Sequence, residues 1–232
     1  MTQQRVSSVF IETVPIVLAS ASPRRRSLLE QLGLLFKIVS VDSEPLPLSS
    51  EHPLEYVIRA AKVKAFAAAA ALEPRSVIIA ADTVVIYTKD DVFEIIGKPQ
   101  SGNDSFSMLS RFQGGKHQVI TGCCIVWPLE ENITSVQYEI FYDTASIQFG
   151  QWDKDILSSY VSTGESNDKA GAFSIQGIGA FLIDIIEGNY TTILGLPLPQ
   201  LVKRLLKRKA IKVVLNKNSE ETISSDFLTY SR

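Results

Sequence analysis

Two stretches of this 232-residue chain and one scattered set of cations hold residue types that can do chemistry. The first is Leu18-Ala19-Ser20-Ala21-Ser22-Pro23-Arg24-Arg25-Arg26, an apolar run that passes through small hydroxyl residues into proline and three arginines. Ser22-Pro23 reads as a helix start, because serine is favoured at the N-cap and proline at the first helical position. Arg24 and Arg25 then fall in the first turn, at the positive end of the helix dipole, where cations are disfavoured. Either this is a solvated basic patch, or an anion sits there, held by main-chain N–H groups and guanidinium forks. The second stretch, Val77 to Ile86, is a near-continuous apolar run with Asp82 in its middle. An ionised carboxylate in such a run is costly unless it is paired or binds a cation. Asp82 therefore opens a solvent-exposed bulge, pairs with a structural arginine, or serves beside a cleft as metal ligand or base. The third is a set of cations: Lys62 and Lys64 on an alanine-rich helix, Lys98 in Gly97-Lys98-Pro99, and Lys169 in Asp168-Lys169-Ala170-Gly171. Singly each reads as a surface lysine, but Gly97 permits close approach of a ligand and Pro99 fixes the turn. Arginines, lysines and one or two carboxylates are the parts for holding a polyphosphate, with a divalent metal and an activated water.

Other chemistries fit less well. His117 beside a turn reads as structural, and Ser20, Ser22 and Thr121 have no histidine and aspartate arranged for a serine hydrolase. Cys123 and Cys124 are the only cysteines; strand neighbours point to opposite faces, so a bridge between them is not expected. Two cysteines with the separated His52 and His117 do not make a zinc site of ordinary spacing. There is no Walker loop and no dinucleotide fingerprint. The net charge of −2 gives no sign of a nucleic-acid partner. The start has no signal-peptide pattern and no apolar stretch is long enough to span a bilayer. The expectation is a soluble cytoplasmic protein without a membrane or nucleic-acid partner.

These residues need elements to position them. A buried strand is expected at 15–18, a helix over 23–32 stopped by Gly33, a second strand at 36–41, and an acidic loop at 42–47. The alanine-rich helix runs from Pro53 to Leu72, with Glu55 and Arg59 at i,i+4 spacing. Strands follow at 77–87 and 92–96, a helix from 103 or 104 to 112, then strands at 119–127 and 138–149. A helix at 153–161, a strand at 180–186 and a helix from Pro197 or Pro199 to about Lys207 complete the set. The fold class is mixed α/β, an extended sheet with flanking helices. Residues 1–13 read as a leader, and 209–232 as a tail, basic at first and then acidic and serine-rich, that forms a surface strand or stays partly disordered.

Taken together the motifs resemble one family. Ser20-Ala21-Ser22-Pro23-Arg24-Arg25, Ala81-Asp82-Thr83-Val84-Val85, Gly97-Lys98-Pro99, Asp168-Lys169-Ala170-Gly171, Ile175-Gln176-Gly177, Gly188-Asn189-Tyr190 and Gly195-Leu196-Pro197-Leu198 stand in the order seen in the Maf nucleoside triphosphate pyrophosphatases, the septum formation inhibitor proteins. The resemblance implies one domain over 14–208, with two lobes around a central cleft, similar to the inosine triphosphate pyrophosphatases. It implies Mg²⁺- or Mn²⁺-dependent hydrolysis of a nucleoside triphosphate to monophosphate and pyrophosphate, and a homodimer. Asp82 matches the family's general base. Arg24, Thr83 and Gln176 match the residues that mark the branch acting on dTTP and UTP. In that reading Ser20, Arg24, Arg25, Lys62, Thr83, Lys98, Lys169 and Gln176 bind substrate. Asp82 and Glu44 hold the metal, and Lys169 holds a phosphate or orients Asp82. A glutamine amide, with donor and acceptor together, matches the O4/N3–H edge of thymine or uracil. The chain departs from the family pattern at Ala61, at Ser43 between Asp42 and Glu44, and at Ser166. The rival readings are a nucleotide-binding regulator of cell division and a pyrophosphatase for modified purine triphosphates.

Overall fold

A computed structural model describes residues 8–41, 45–72, 75–89, 92–129 and 135–214. The elements are, in order, β1 (Phe10–Glu12), β2 (Ile16–Leu18), α1 (Pro23–Gln31), β3 (Lys37–Ile38), α2 (Pro53–Ala70), β4 (Val77–Lys89), β5 (Val92–Ile96) and α3 (Gly102–Phe112). They continue with β6 (Lys116–Val126), β7 (Tyr138–Phe149), α4 (Lys154–Ser162), β8 (Ile183–Glu187), α5 (Tyr190–Ile193), α6 (Leu198–Lys207) and β9 (Ile211–Val213), with short 3-10 turns at Ala170–Ala172 and Ile178–Leu182. Seven strands form one mixed sheet in the order β3-β2-β4-β6-β7-β8, with β5 also paired to β4. The expected mixed α/β class with an extended sheet is what the chain builds.

The long strand β4 organises everything else. Along one edge β6 pairs with it antiparallel from Ile78 to Ile86. The other edge is shared by two strands: β2 runs parallel to Val77–Ile79, and β5 runs antiparallel to Val85–Lys89. Between them, residues 80–84 have a strand neighbour on one side only, and the sheet is notched there. Val77 N–H donates to Pro15 O, and Ile79 O accepts from Ala19 N–H. Main-chain groups alternate between the two edges of a strand, so those of Ala81 and Thr83 are aimed at the notch.

Packing differs on the two faces. On one, α2 lies over the whole centre of the sheet: Ala61, Ala65 and Ala68 meet Ile78, Ala80 and Cys124, while Val57 and Ala60 meet Val84 and Ile120. Small residues let the helix approach closely, and Gly122 touches the helix main chain. The other face carries two separate cores. Leu28, Leu29, Leu201 and Leu205 of α1 and α6 pack on Ile79, Ala81 and Cys123, whereas Leu109, Phe112 and Leu157 of α3 and α4 pack on Val85 and Val119. Thr83 falls between them.

Cys123 and Cys124 thus sit in different cores on opposite faces, both unbridged. Burial pushes both thiols up to about 12. Because the thiolate is the reactive species, native protein is expected to resist an aromatic disulfide reagent that labels both thiols once the chain is unfolded. Rapid labelling of the native form would contradict this packing.

Three boundaries differ from expectation. Residues 1–13 do not all act as a leader: β1 pairs antiparallel with β9, and Phe10 packs against the α1/α6 core. A three-residue strand has no periodicity to read; its partner is supplied from the far end of the chain. The strand expected over 36–41 is reduced to Lys37–Ile38, and that at 180–186 begins only at Ile183, after a 3-10 turn. No helix among the described residues is long and apolar enough to cross a membrane.

Candidate active site

The notch in β4 opens into a cavity of about 430 Å³. Its floor is the carboxyl end of β2, where the chain turns through Ser20–Ser22 into α1, the position at which open α/β sheets collect ligands. Ser22 is the N-cap, but its side chain makes no capping bond, and the first turn carries no acid. The positive end of α1 is left for a ligand.

Arg25 is built into this floor. Its Nε donates to Gly195 O (2.8 Å), Nη1 to Ser20 Oγ (3.2 Å) and Nη2 to Thr83 Oγ1 (2.9 Å). Ser20 Oγ also accepts from Ser22 N–H (3.2 Å), which fixes the turn entering α1. Gly195 holds its carbonyl there with φ +100°, and a Cβ on it would meet Thr83 Oγ1 at 3.0 Å and Arg25 Nε at 3.2 Å. Arg24 also lines the cavity. Its pKa is lowered, first by burial and then by the charge of Arg25, with Asp168 acting in the opposite sense. A guanidinium whose charge is disfavoured in this way, next to a second one, makes a place that an anion stabilises.

Asp82 emerges on the other face of β4, because consecutive strand residues point oppositely. It is only 5% exposed, and Lys64 Nζ donates to its Oδ1 at 2.5 Å. Neither a solvent-exposed bulge nor an arginine partner is found; the counter-charge is a buried lysine on α2. Lys98 and Lys169 also line the cavity. Their loops are tied together, since Gly171 N–H donates to Gly97 O at 3.0 Å. Lys169 is hydrogen-bonded to Asp168, whose carboxyl pKa is lowered first by that bond; among the described residues the bond that Asp82 receives comes from Lys64. Val85, Val119, Phe173 and Ile175 are among the apolar residues of the wall.

Ser20, Arg24, Arg25, Asp82, Thr83, Lys98 and Lys169 are therefore brought together. Two expected binding residues are not. Lys62 lies outside the cavity, with Nζ donating to Tyr138 Oη at 3.0 Å and lying 4.6 Å from that ring's centre. Residues two apart on a helix point about 200° apart, so with Lys64 on Asp82, Lys62 must face elsewhere. Gln176 is exposed and not in the cavity wall, although its neighbour Ile175 is. Glu44, expected as a metal ligand, lies outside the described residues. The residues that the sequence reading left without a binding role are Lys64 and Asp168. Lys64 had a signal: it falls in the stripe Val57, Ala60, Ala61, Ala65, Ala68, all of them buried. A lysine on the core side of an amphipathic helix needs a buried partner.

His117 is structural, as the sequence suggested. It is 3% exposed, bonded through Nε2 to Phe112 O and stacked on Tyr87, with its pKa lowered by burial.

Residues 15–208 match a family described as Maf-like protein. A dTTP/UTP pyrophosphatase of Nitratidesulfovibrio vulgaris is 45% identical over 203 residues, covering 87% of this chain and 91% of that protein. One from Caldanaerobacter subterraneus is 37% identical over 199 residues, covering 86% and 91%. Among solved structures, a nucleoside-triphosphatase (dITP/XTP pyrophosphatase) from Mycobacterium abscessus aligns over 84% of this chain and 93% of its own, at 13% identity and a TM-score of 0.39.

Proposed function

The chain belongs to the Maf-like protein family, and from that premise we propose that it hydrolyses dTTP and UTP to the nucleoside monophosphate and pyrophosphate. The observation that carries the reading is the buried Asp82–Lys64 pair in a cavity that also holds Arg24, Arg25, Lys98 and Lys169. The names of the relatives support the choice of nucleotide.

In this reading the cations and the start of α1 hold the triphosphate and the departing pyrophosphate. Asp82 accepts the proton of the water that cleaves the α–β anhydride. Lys64 compensates the charge of a carboxylate on a residue only 5% exposed. The donor chemistry fits Mg²⁺ or Mn²⁺: Asp82 and Asp168 put hard carboxylate oxygens in the cavity wall, and such cations are held by one or two carboxylates plus substrate phosphates. When bound, the cation neutralises charge on the phosphates.

The test is a panel of nucleoside triphosphates with Mg²⁺ or Mn²⁺, measuring pyrophosphate against orthophosphate. Pyrophosphate from dTTP and UTP supports the proposal. Orthophosphate means that a different bond is cleaved, and no release from any nucleotide favours the regulator reading.

Base selection is expected to respond to Gln176, which follows a residue of the cavity wall. Gln176→Glu replaces a group that both donates and accepts by one that only accepts. The expected result is a loss of about tenfold or more in kcat/KM for dTTP and UTP, with purine triphosphates little changed. Equal effects on both classes would remove Gln176 from base selection.

A further inference from the structure

Thr121 is fully buried and is no part of the cavity wall, yet the hydrogen bonds around it have a fixed direction that ends at Arg25. Thr121 Oγ1 lies 2.7 Å from Thr192 O. A carbonyl only accepts, so Thr121 donates its single hydroxyl proton there. The Thr83 Oγ1–Thr121 Oγ1 contact, at 2.9 Å, must then be donated by Thr83. With its proton directed inward, Thr83 can only accept on the cavity side, and what it accepts is Arg25 Nη2–H at 2.9 Å. The far end is closed by Thr192 Oγ1, which donates to Asp143 Oδ2 at 2.5 Å and ties α5 to β7. The same short segment presents Gly195 O to Arg25 Nε.

We propose that Thr121 is a positioning residue for anion binding: by taking the Thr83 proton it makes Thr83 a fixed acceptor, and so holds the Arg25 guanidinium in its phosphate-binding pose. The proposal rests on the nucleotide reading only for the identity of the natural ligand. Without the Thr121 hydroxyl, Thr83 loses its inward acceptor and its rotor is no longer pinned. A hydroxyl free to turn its proton outward meets the guanidinium N–H with a donor and repels it.

The experiment is calorimetric titration of the full chain with inorganic tripolyphosphate, for wild type, Thr121→Val, Thr121→Ser, Thr83→Val and the Thr83→Val/Thr121→Val double variant. Thr121→Val and Thr83→Val are each expected to weaken binding about tenfold. The double variant should be no weaker than either single, because Thr121 acts through Thr83. Thr121→Ser, which keeps the hydroxyl, should bind within about threefold of wild type. In dTTP turnover, Thr121→Val should raise KM with kcat within about twofold, a split that general loosening of the fold would not produce. Should Thr121→Val fail to fold, Thr121→Ala carries the test, since it removes the same hydroxyl and leaves Thr83 and Arg25 unchanged.

Unchanged affinity in these variants, additive losses in the double variant, or no binding of tripolyphosphate by wild type overturns the proposal. If tripolyphosphate gives the expected pattern while no nucleoside triphosphate is cleaved, the function proposed above fails and the role of Thr121 stands.

Discussion

Asp82→Asn is expected to lower kcat for dTTP by about 10²–10⁴-fold, the range for loss of a positioned general base, while nucleotide binding stays within a few fold of wild type. Asparagine keeps the shape of the side chain and an oxygen facing Lys64 Nζ, but it cannot take a proton from water. The cations that hold the phosphates come from other elements and should not move. Stability should fall as well. Lys64 and Asp82 have side chains only 11% and 8% exposed, and the substitution removes the Asp82 charge that faces that buried ammonium. Removing one partner of a buried pair typically costs about 3–5 kcal/mol, and the retained hydrogen bond should keep the loss below that. Single-turnover kinetics, calorimetric titration with dTTP and urea unfolding separate the three effects. Retained kcat would sink the general-base role; loss of binding with normal single-turnover chemistry would make Asp82 a binding residue.

The second large effect is expected at Gly122, directly opposite Asp82 across β4 and β6. A Cβ there would lie 2.7 Å from both the carbonyl carbon and the oxygen of Val57, and 3.0 Å from Ile58 N. These are main-chain atoms of α2, so no side chain can swing aside. Gly122→Ala must lift the helix from the sheet, and with it Lys64. Overpacking of this kind costs about 1–3 kcal/mol, and a small displacement of a catalytic group can remove about 10² in rate. Gly122→Ala is therefore expected to lower the urea midpoint and to reduce kcat more than it weakens tripolyphosphate binding, because Arg25 and its partners lie on the other face. A variant with wild-type stability and rate would show that α2 does not set the Asp82 environment.

Much of this was legible in the chain because the informative residues break local rules. Arginines in the first turn of α1 and a carboxylate inside an apolar strand are unfavourable unless a partner is supplied, and both lie in the cavity wall. Long strands and helices were readable from their periodicity, and β7 spans the expected residues. What could not be read depends on phase and on distant pairing. The sequence reading assigned phosphate binding to Lys62 on α2, but only the helix rotation shows that Lys64 faces Asp82. The buried stripe through Val57, Ala61 and Ala68 would have given that phase. The β1–β9 pairing and the Gly97–Gly171 tie join segments far apart in the chain, with no local pattern to announce them. The resemblance leads one to expect Gln176 to mark the pyrimidine branch, yet its exposure outside the cavity wall is not foreseeable from spacing.

The shared edge of β4 has a wider consequence. Asp82 and Thr83 are neighbours in sequence but belong to opposite sides of the sheet, one backed by α2 and the other by Arg25 and α5. An unbroken sheet would wall these two sets of groups off from each other. The gap between β2 and β5 is the passage through which one small molecule can touch both. Under the proposed function, a nucleotide in this cavity would lie alongside residues 80–84 of β4, between the β2 and β5 ends of that edge. Ligand that binds only the native form adds directly to its stability. Here that gain would fall where β4 has a strand neighbour on one side only.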